Sequence, residues 1–318
     1  MSKIINIGII GAGVVGERLI NAIKRHPQGN IKGIYDVNAE RLKEVSNKYN
    51  IPTVKSYNDL LEDKDIDIIY LAVPPKYHHP IAMDIIKSNK HFLCEKPLAN
   101  SSEEAREMYE GVEKNKVVNG MNFPTVYTTA FKKLKSLLEE GFIGDLLRVE
   151  LQGYFTYWPR LWQQNNWIAS REQGGFVREV FTHFVQMINR LFGEMSDITS
   201  FIEYPEDPTM SEIGIIARAN LKNNISVLFN GVSSVGMKDD LSFTIYGTEG
   251  TISLVNWREL WISNKDSKKE KLDLADNDHL VELLDEFFKA INGEKANLVT
   301  FKEGYEAQKV IEKLLLRE

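Results

Sequence analysis

Residues 4–10 form an apolar run of strand length that breaks directly into Gly11-Ala12-Gly13-Val14-Val15-Gly16, and an amphipathic segment of helical spacing follows over residues 15–25. Strand, glycine turn and helix in that order constrain the fold more than any other stretch. Gly11 permits a tight turn, Gly13 leaves backbone N–H groups open to a diphosphate, and Gly16 lets helix and strand pack closely. The helix N-terminus adds partial positive charge. Twenty residues after Gly16, at the end of the next apolar run (31–35), stands Asp36, placed to accept from the hydroxyls of an adenosine ribose. This is the arrangement of a dinucleotide site, with backbone contacts expected from Gly11, Gly13, Val14, Val15 and Gly16. Asp36 repels a 2′-phosphate and so favours NAD. Arg41, five residues on, leaves NADP open.

The alternation continues through the first 120 residues. Helical patterns at 39–49 and 77–88 separate apolar runs at 67–73 and 91–94. The near-continuous apolar run 67–73 is what a parallel strand buried on both faces requires. Ser101-Ser102-Glu103-Glu104 has capping-box spacing at the head of a helix reaching about residue 114, and 117–121 closes the unit. Strands alternating with helices predict a Rossmann-type α/β domain, a doubly wound parallel sheet over residues 1–121.

The pattern changes at 122. A helix over 125–140 ends at Gly141 and Gly144, a long strand follows at 146–155, and 156–175 is irregular and rich in Trp, Asn and Gln. A helix over 176–192 ends at Gly193. Strands then follow one another at 198–204, 212–221, 225–234, 241–247, 250–255 and 258–263, before helices at 279–292 and 301–316. Strands without intervening helices imply a large, mostly antiparallel sheet, so residues 122–318 are expected to form an α+β domain for substrate binding and oligomerisation. The mixed-charge run at 265–271 reads as a solvated turn.

Composition excludes several functions. With 39 basic against 45 acidic residues the net charge is −6, which disfavours a nucleic-acid face. No apolar run reaches the ~18 residues of a membrane span. No set of His, Cys, Asp and Glu has zinc spacing, so no metal is expected. The single cysteine, Cys94, excludes an internal disulfide and fits a reducing compartment. Met1-Ser2-Lys3 runs straight into the first strand with no leader to cleave, so a cytoplasmic location is expected.

Two further segments carry chemistry. The strand at 67–73 ends in Val73-Pro74-Pro75, and the loop through His78 lies at the carboxyl edge, where ligands bind such sheets. For His78 and His79, capping of the next helix is the simpler role. Cys94-Glu95-Lys96-Pro97 follows the fourth strand, so Lys96 projects at the same edge, able to donate to a substrate oxygen or to pair with Glu95 at the surface. Farther on, Glu179 and His183 are four apart in a predicted helix and share one face. A histidine oriented by a carboxylate is suited to proton transfer, and a purely structural pair has the same spacing. The stretch Tyr154-Phe155-Thr156-Tyr157-Trp158-Pro159-Arg160-Leu161-Trp162-Gln163-Gln164-Asn165-Asn166-Trp167 mixes aromatic faces with amides. That mixture suits a sugar or polyol. It equally suits a loop packed on a sheet or at a subunit contact.

With these elements in place, the chain resembles the glucose–fructose oxidoreductase/inositol dehydrogenase/MocA family over nearly its full length. The glycine turn, Val73-Pro74 with His78, and Cys94 through Leu98 match in order and spacing. Phe123-Pro124, Gly141-Phe142-Ile143-Gly144-Asp145 and Tyr246-Gly247-Thr248-Glu249-Gly250-Thr251 look like its second-domain motifs. The resemblance implies an NAD(P)-dependent dehydrogenase acting on a sugar, polyol or inositol-like hydroxyl or carbonyl. It implies that Lys96 contacts the reacting oxygen and His183 is the general acid/base. Glu179 stands where the family usually has Asp. Val73, Pro74, His78, Glu95 and Lys96 are then expected at the cofactor, and Lys96, Asn166, Trp167, Glu179 and His183 at the substrate. Ile168 replaces an arginine that often follows the tryptophan. These two departures leave open a reductase of C=N or enone-type substrates, and a non-catalytic nucleotide-sensing binder stands as a third reading. A homodimer or homotetramer is expected, joined through an outer sheet face bearing Ile213, Ile215, Val227 and Phe229.

Overall fold

The computed structural model describes residues 3–163 and 165–316. Gln164, one amide of the aromatic-rich stretch, lies outside the described residues, as do Met1 and Ser2 of the expected leaderless start and the last two residues. The strands are β1 (Ile5–Ile10), β2 (Gly29–Tyr35), β3 (Ile68–Leu71), β4 (His91–Glu95), β5 (Asn119–Asn122), β6 (Leu146–Phe155), β7 (Ser196–Glu203), β8 (Gly214–Asn220), β9 (Ser226–Ser233), β10 (Asp240–Gly247), β11 (Gly250–Val255), β12 (Glu259–Asn264) and β13 (Glu270–Lys271). The helices are α1 (Val14–Arg25), α2 (Ala39–Tyr49), α3 (Tyr57–Glu62), α4 (His78–Lys87), α5 (Ser102–Asn115), α6 (Thr129–Glu139), α7 (Asn166–Ala169), α8 (Thr182–Phe192), α9 (His279–Ile291) and α10 (Phe301–Leu314). By packing the chain divides into two compact units, Met1–Pro124 with Asp278–Tyr305, and Thr125–Asn277 with Glu306–Glu318.

In the first unit, β1–β5 form one parallel sheet in the order β2-β1-β3-β4-β5. The order reverses between β1 and β3, so their carboxyl ends flank the switch point where ligands bind such sheets. Ser101 caps α5 by accepting from the Glu104 N–H at 3.2 Å. The Glu104 carboxylate reaches the Asn100 N–H at 3.1 Å, one residue farther back than a simple capping box. Helix α3 has no counterpart among the expected elements. Its six residues are too few for a helical period to register, although Ser56 and Asp59 build a full capping box at its start.

The change of pattern predicts a single boundary at 121/122, whereas Asp278–Tyr305 packs with the first unit. Helix α9 lies along α1: His26 Nε2 meets Asp285 at 2.9 Å, and its ring meets Phe288 edge-on at 4.7 Å. Gly120 of β5 leaves room for Phe287, whose ring atoms would lie 2.9 Å from a Cβ there. Leu283, Leu284, Phe287 and Phe288 are buried, each contributing about 1.5–3 kcal/mol. Periodicity finds this amphipathic helix but carries no record of which sheet it covers.

In the second unit, eight strands form one sheet in the order β13-β12-β11-β10-β6-β9-β8-β7, antiparallel throughout except for the β6/β9 pair. Inward residues alternate along each strand, as in Val149, Leu151 and Phe155 of β6. This alternation corrects the expected outer face. Ile215, Val227 and Phe229 are 0–1% exposed and point into the core, with Phe229 against Phe181 at 6.4 Å. Ile213, just before β8, is exposed as expected, and further outward apolar residues are Phe201, 70% exposed, and Ile216, 62% exposed, paired across β7 and β8. A one-residue error in strand phase exchanges the two faces. The run 265–271 is exposed, and only its last two residues add a short strand.

Candidate active site

The turn from β1 to α1 is built as the glycines require. Gly11 adopts φ +106°, and a Cβ there would lie 2.2 Å from the Ala72 carbonyl oxygen. A Cβ at Gly16 would lie 2.3 Å from the Gly11 carbonyl oxygen. At Gly13, by contrast, a Cβ meets nothing within 4 Å, and the neighbouring Val14 and Val15 side chains are exposed. The first-turn N–H groups of α1 have no intrahelical acceptor. An open backbone cradle at a helix N-terminus fits a diphosphate.

Asp36 ends β2 beside this loop. One carboxylate oxygen accepts from the Ala12 N–H at 2.6 Å and the other from the Asn38 N–H at 2.8 Å. Arg41 grips the same loop residue from its other polar atom, with Nε 2.8 Å from the Ala12 carbonyl. Arg41 also pairs with Glu17, and with Glu44 at 2.8 Å. Glu17 in turn accepts from Lys48 Nζ at 2.7 Å and the Tyr49 hydroxyl at 2.8 Å. The Lys48 bond, with help from Tyr49 and Arg41, outweighs partial burial and lowers the Glu17 carboxyl to about 2. Asp36 and Arg41 stand out in the sequence, whereas Glu17, Glu44, Lys48 and Tyr49 do not, because they are spread over two helices.

At the carboxyl edge, Val73 and Pro74 are half-buried after β3. His78 is fully buried, with Nε2 2.8 Å from the Val73 carbonyl and Nδ1 3.1 Å from that of Leu98. Burial lowers the pKa of this ring. It ties the segment after β3 to the segment after β4 and turns its polar atoms into the protein. The Glu95 carboxylate is likewise buried and accepts from Tyr70 and Asn122, and burial raises its pKa. Among the expected cofactor contacts, His78 and Glu95 thus turn their polar groups to buried protein partners inside the unit. Lys96 follows directly, half-buried at the edge, with a cis bond to Pro97. His79 sits farther out and meets Glu107 at 2.8 Å. Tyr70 and Asn122 carry no sequence signal beyond strand positions.

In the second unit, Gly174 and Gly175 are dictated by close neighbours. A Cβ at Gly174 would lie 2.0 Å from the Ile168 carbonyl oxygen. At Gly175, with φ +97°, it would lie 2.1 Å from a Glu212 carboxylate oxygen. Glu212 is buried and also accepts from the Val177 N–H at 2.8 Å. The expected helix over 176–192 begins as a π-helical turn, Val177–Phe181, and continues as α8. Such wide turns are frequent at functional sites. Glu179 lies in the π turn, buried, and His183 is the second residue of α8, half-buried. His183 meets Trp257, a residue of the β11–β12 turn that the sequence reading missed. Between Glu179 and its neighbour Val177 sits Arg178, 0% exposed, donating to the Glu172 carbonyl at 2.8 Å.

The aromatic stretch divides. Trp158 packs on Phe155 and Phe176 at 5.5 and 6.0 Å, so this part lies on the sheet. Tyr157, Leu161 and Trp162 are exposed, as is Asn166, while Trp167 is half-buried. Arg160 lies over Trp158 and Trp162 and donates to Gln163 at 2.7 Å. Ile168, which replaces the arginine that often follows the tryptophan, is buried. No group of three or more metal-binding side chains occurs among the described residues.

Comparison with known proteins gives concordant matches. Residues 5–123 match a family described as an oxidoreductase family with an NAD-binding Rossmann fold, and residues 135–316 match its C-terminal alpha/beta domain. An uncharacterized oxidoreductase of Bacillus subtilis (strain 168), YrbE, is 29% identical over 81% of this chain and 76% of its own length. Levoglucosan dehydrogenase of Pseudarthrobacter phenanthrenivorans is 27% identical over 78% of this chain and 73% of its own. A solved levoglucosan dehydrogenase in complex with NADH and L-sorbose shares the fold, with a TM-score of 0.87 at 22% identity, covering 99% of this chain and 97% of that one.

Proposed function

The chain belongs to the glucose–fructose oxidoreductase/inositol dehydrogenase/MocA family of NAD-binding oxidoreductases, and we propose that it moves a hydride between nicotinamide and a carbon bearing a sugar, polyol or inositol-like hydroxyl. The observation that carries this reading is Lys96, half-buried at the carboxyl end of β4 in the sheet that holds the glycine turn. Sugar and polyol dehydrogenases among the relatives support the substrate class.

Gly11, Gly13 and Gly16 with the N-terminus of α1 would hold the diphosphate, and Asp36 the adenosine ribose. Bound nicotinamide accepts or supplies the hydride. The remaining work falls to this chain's own residues. His183 takes up or returns the substrate hydroxyl proton. Lys96 donates to the same oxygen and stabilises negative charge as it develops. Glu179, fixed in the buried π turn, orients the substrate, and its extra methylene relative to Asp shifts the hydroxyl it meets. Trp167 and Asn166 are assigned to the substrate on the same reading.

The outward face of β7 and β8, with Phe201 and Ile216, supports a homo-oligomer through the large sheet. The single buried thiol of Cys94 supports a reducing cytoplasm. No helix among the described residues is long and apolar enough to cross a membrane.

An absorbance assay of NADH formation and consumption across sugars, polyols and inositols tests the function. Turnover on one of these classes is expected. Turnover only on imine or enone substrates would replace the reading with a reductase. Micromolar NAD binding without any turnover would replace it with a nucleotide-sensing binder.

A further inference from the structure

Asp36 and Arg41 hold one residue between them. Ala12 donates its N–H to Asp36 at 2.6 Å, and its carbonyl oxygen accepts from Arg41 Nε at 2.8 Å. The guanidinium therefore lies beside the carboxylate assigned to the adenosine ribose, where an arginine ordinarily receives a 2′-phosphate. Yet each of its three nitrogens has a protein acceptor: the Ala12 carbonyl, the Glu17 carboxylate and the Glu44 carboxylate. The two acids differ in anchoring. Glu44 is largely exposed, whereas Glu17 is nearly covered and is itself held by Lys48 and Tyr49. Exposed pairs of long side chains contribute little and open easily. A guanidinium matched to an anchored carboxylate does not.

We propose that Glu17 determines the choice between NAD(H) and NADP(H) by engaging the Arg41 guanidinium in an ion pair, so that it does not serve an adenosine 2′-phosphate. The proposal rests on the reading of this chain as an NAD-dependent oxidoreductase. Three carboxylates, Asp36, Glu17 and Glu44, face two cations, Arg41 and Lys48. A 2′-phosphate would add charge to a rim already carrying excess negative charge. With Glu17 neutral, two carboxylates face two cations, and the Arg41 edge released from its ion pair has a geometry that matches phosphate.

The test is direct binding of NADH and NADPH by titration calorimetry, with no substrate present. The wild-type chain is expected to bind NADH at least tenfold tighter than NADPH. Glu17→Gln should reduce that ratio by tenfold or more, and adding Arg41→Ala to Glu17→Gln should abolish the gain. Arg41→Ala alone, which removes one cation from an already negative rim, should lower NADPH affinity by less than tenfold, and it reads the same question if Glu17→Gln fails to fold, because Lys48 and Tyr49 still hold Glu17. An unchanged ratio in folded Glu17→Gln would overturn the proposal. So would a tenfold loss of NADPH affinity in Arg41→Ala, which would show the guanidinium already meeting the phosphate. Binding of neither cofactor by the wild-type chain would instead overturn the oxidoreductase reading itself.

Discussion

The imidazole of His183 meets the indole of Trp257 edge to face, with ring centroids 5.4 Å apart and planes at 85°. Trp257 also packs on Phe184 at 5.1 Å. It does so from a turn in which Asn256 and Trp257 both adopt left-handed backbone, φ 46° and 74°. A bulky residue there costs about 1–3 kcal/mol relative to glycine. The turn thus carries backbone strain while presenting an aromatic wall to the proposed proton carrier.

Replacing Trp257 separates those two effects. Trp257→Gly relieves the backbone and removes the wall. Its thermal midpoint should stay within a few degrees of wild type while kcat/KM falls by about tenfold or more. Trp257→Phe should recover most of the activity. A large loss of midpoint with unchanged specific activity would show that the ring serves folding alone.

Lys96→Ala and His183→Ala should each lower kcat by about 100-fold or more while the Kd for NADH changes by less than threefold. Rapid-mixing absorbance and calorimetry provide the two readouts. Full activity in either variant would remove that residue from the mechanism.

Gly175→Ala tests the Gly-Gly turn before the helix that bears His183. The new Cβ must occupy φ +97° and overlap the Glu212 carboxylate. A loss of at least about 2 kcal/mol by urea unfolding is expected. Gly141→Ala, also at positive φ but with open space around the Cβ, should lose less.

The Glu17 cluster gives stability a defined pH dependence. Its carboxyl is lowered from the ordinary 4.5 to about 2, chiefly by the Lys48 hydrogen bond. A lowered folded pKa stabilises the protein above pH 4.5, and that contribution is lost as pH falls toward 2. The difference in unfolding free energy between wild type and Glu17→Gln should therefore be constant near neutrality and shrink steadily between about pH 4.5 and 2. A difference that is flat over this range would show that the ion pair does not contribute.

Phe201→Asp with Ile216→Asp places two charges on the outward face of β7 and β8. Light scattering at micromolar concentration should show a shift from oligomer to monomer. A wild-type monomer would contradict the assembly outright.

Much of the fold was legible because period and punctuation agreed. β6 and β11 fall at their expected bounds, and Gly11 and Gly16 are glycine for the reasons their spacing implies. Side-chain phase was legible only to within one residue, which is why Ile215 and Phe229 were expected on the wrong face. What lay hidden depends on partners distant in sequence. Glu212 shapes Gly175 from 37 positions away, Trp257 reaches His183 from a turn between two unremarkable strands, and Asn122 meets Glu95 across neighbouring strands. None of these pairings leaves a local pattern.

Helix α9 carries a consequence for how the chain is made. The five strands of the first unit are complete once residue 122 has been synthesised, yet His26 and Gly120 await Phe288 and Phe287, which follow only after the whole of Thr125–Asn277. The sheet therefore leaves the ribosome with one helix missing and its apolar seat bare, and neither unit is complete until the final stretch of chain has been made. A fragment cut at the end of β5 would carry the full glycine turn and still lack a wall, so a minimal nucleotide-binding piece of this protein must join two segments that synthesis keeps far apart.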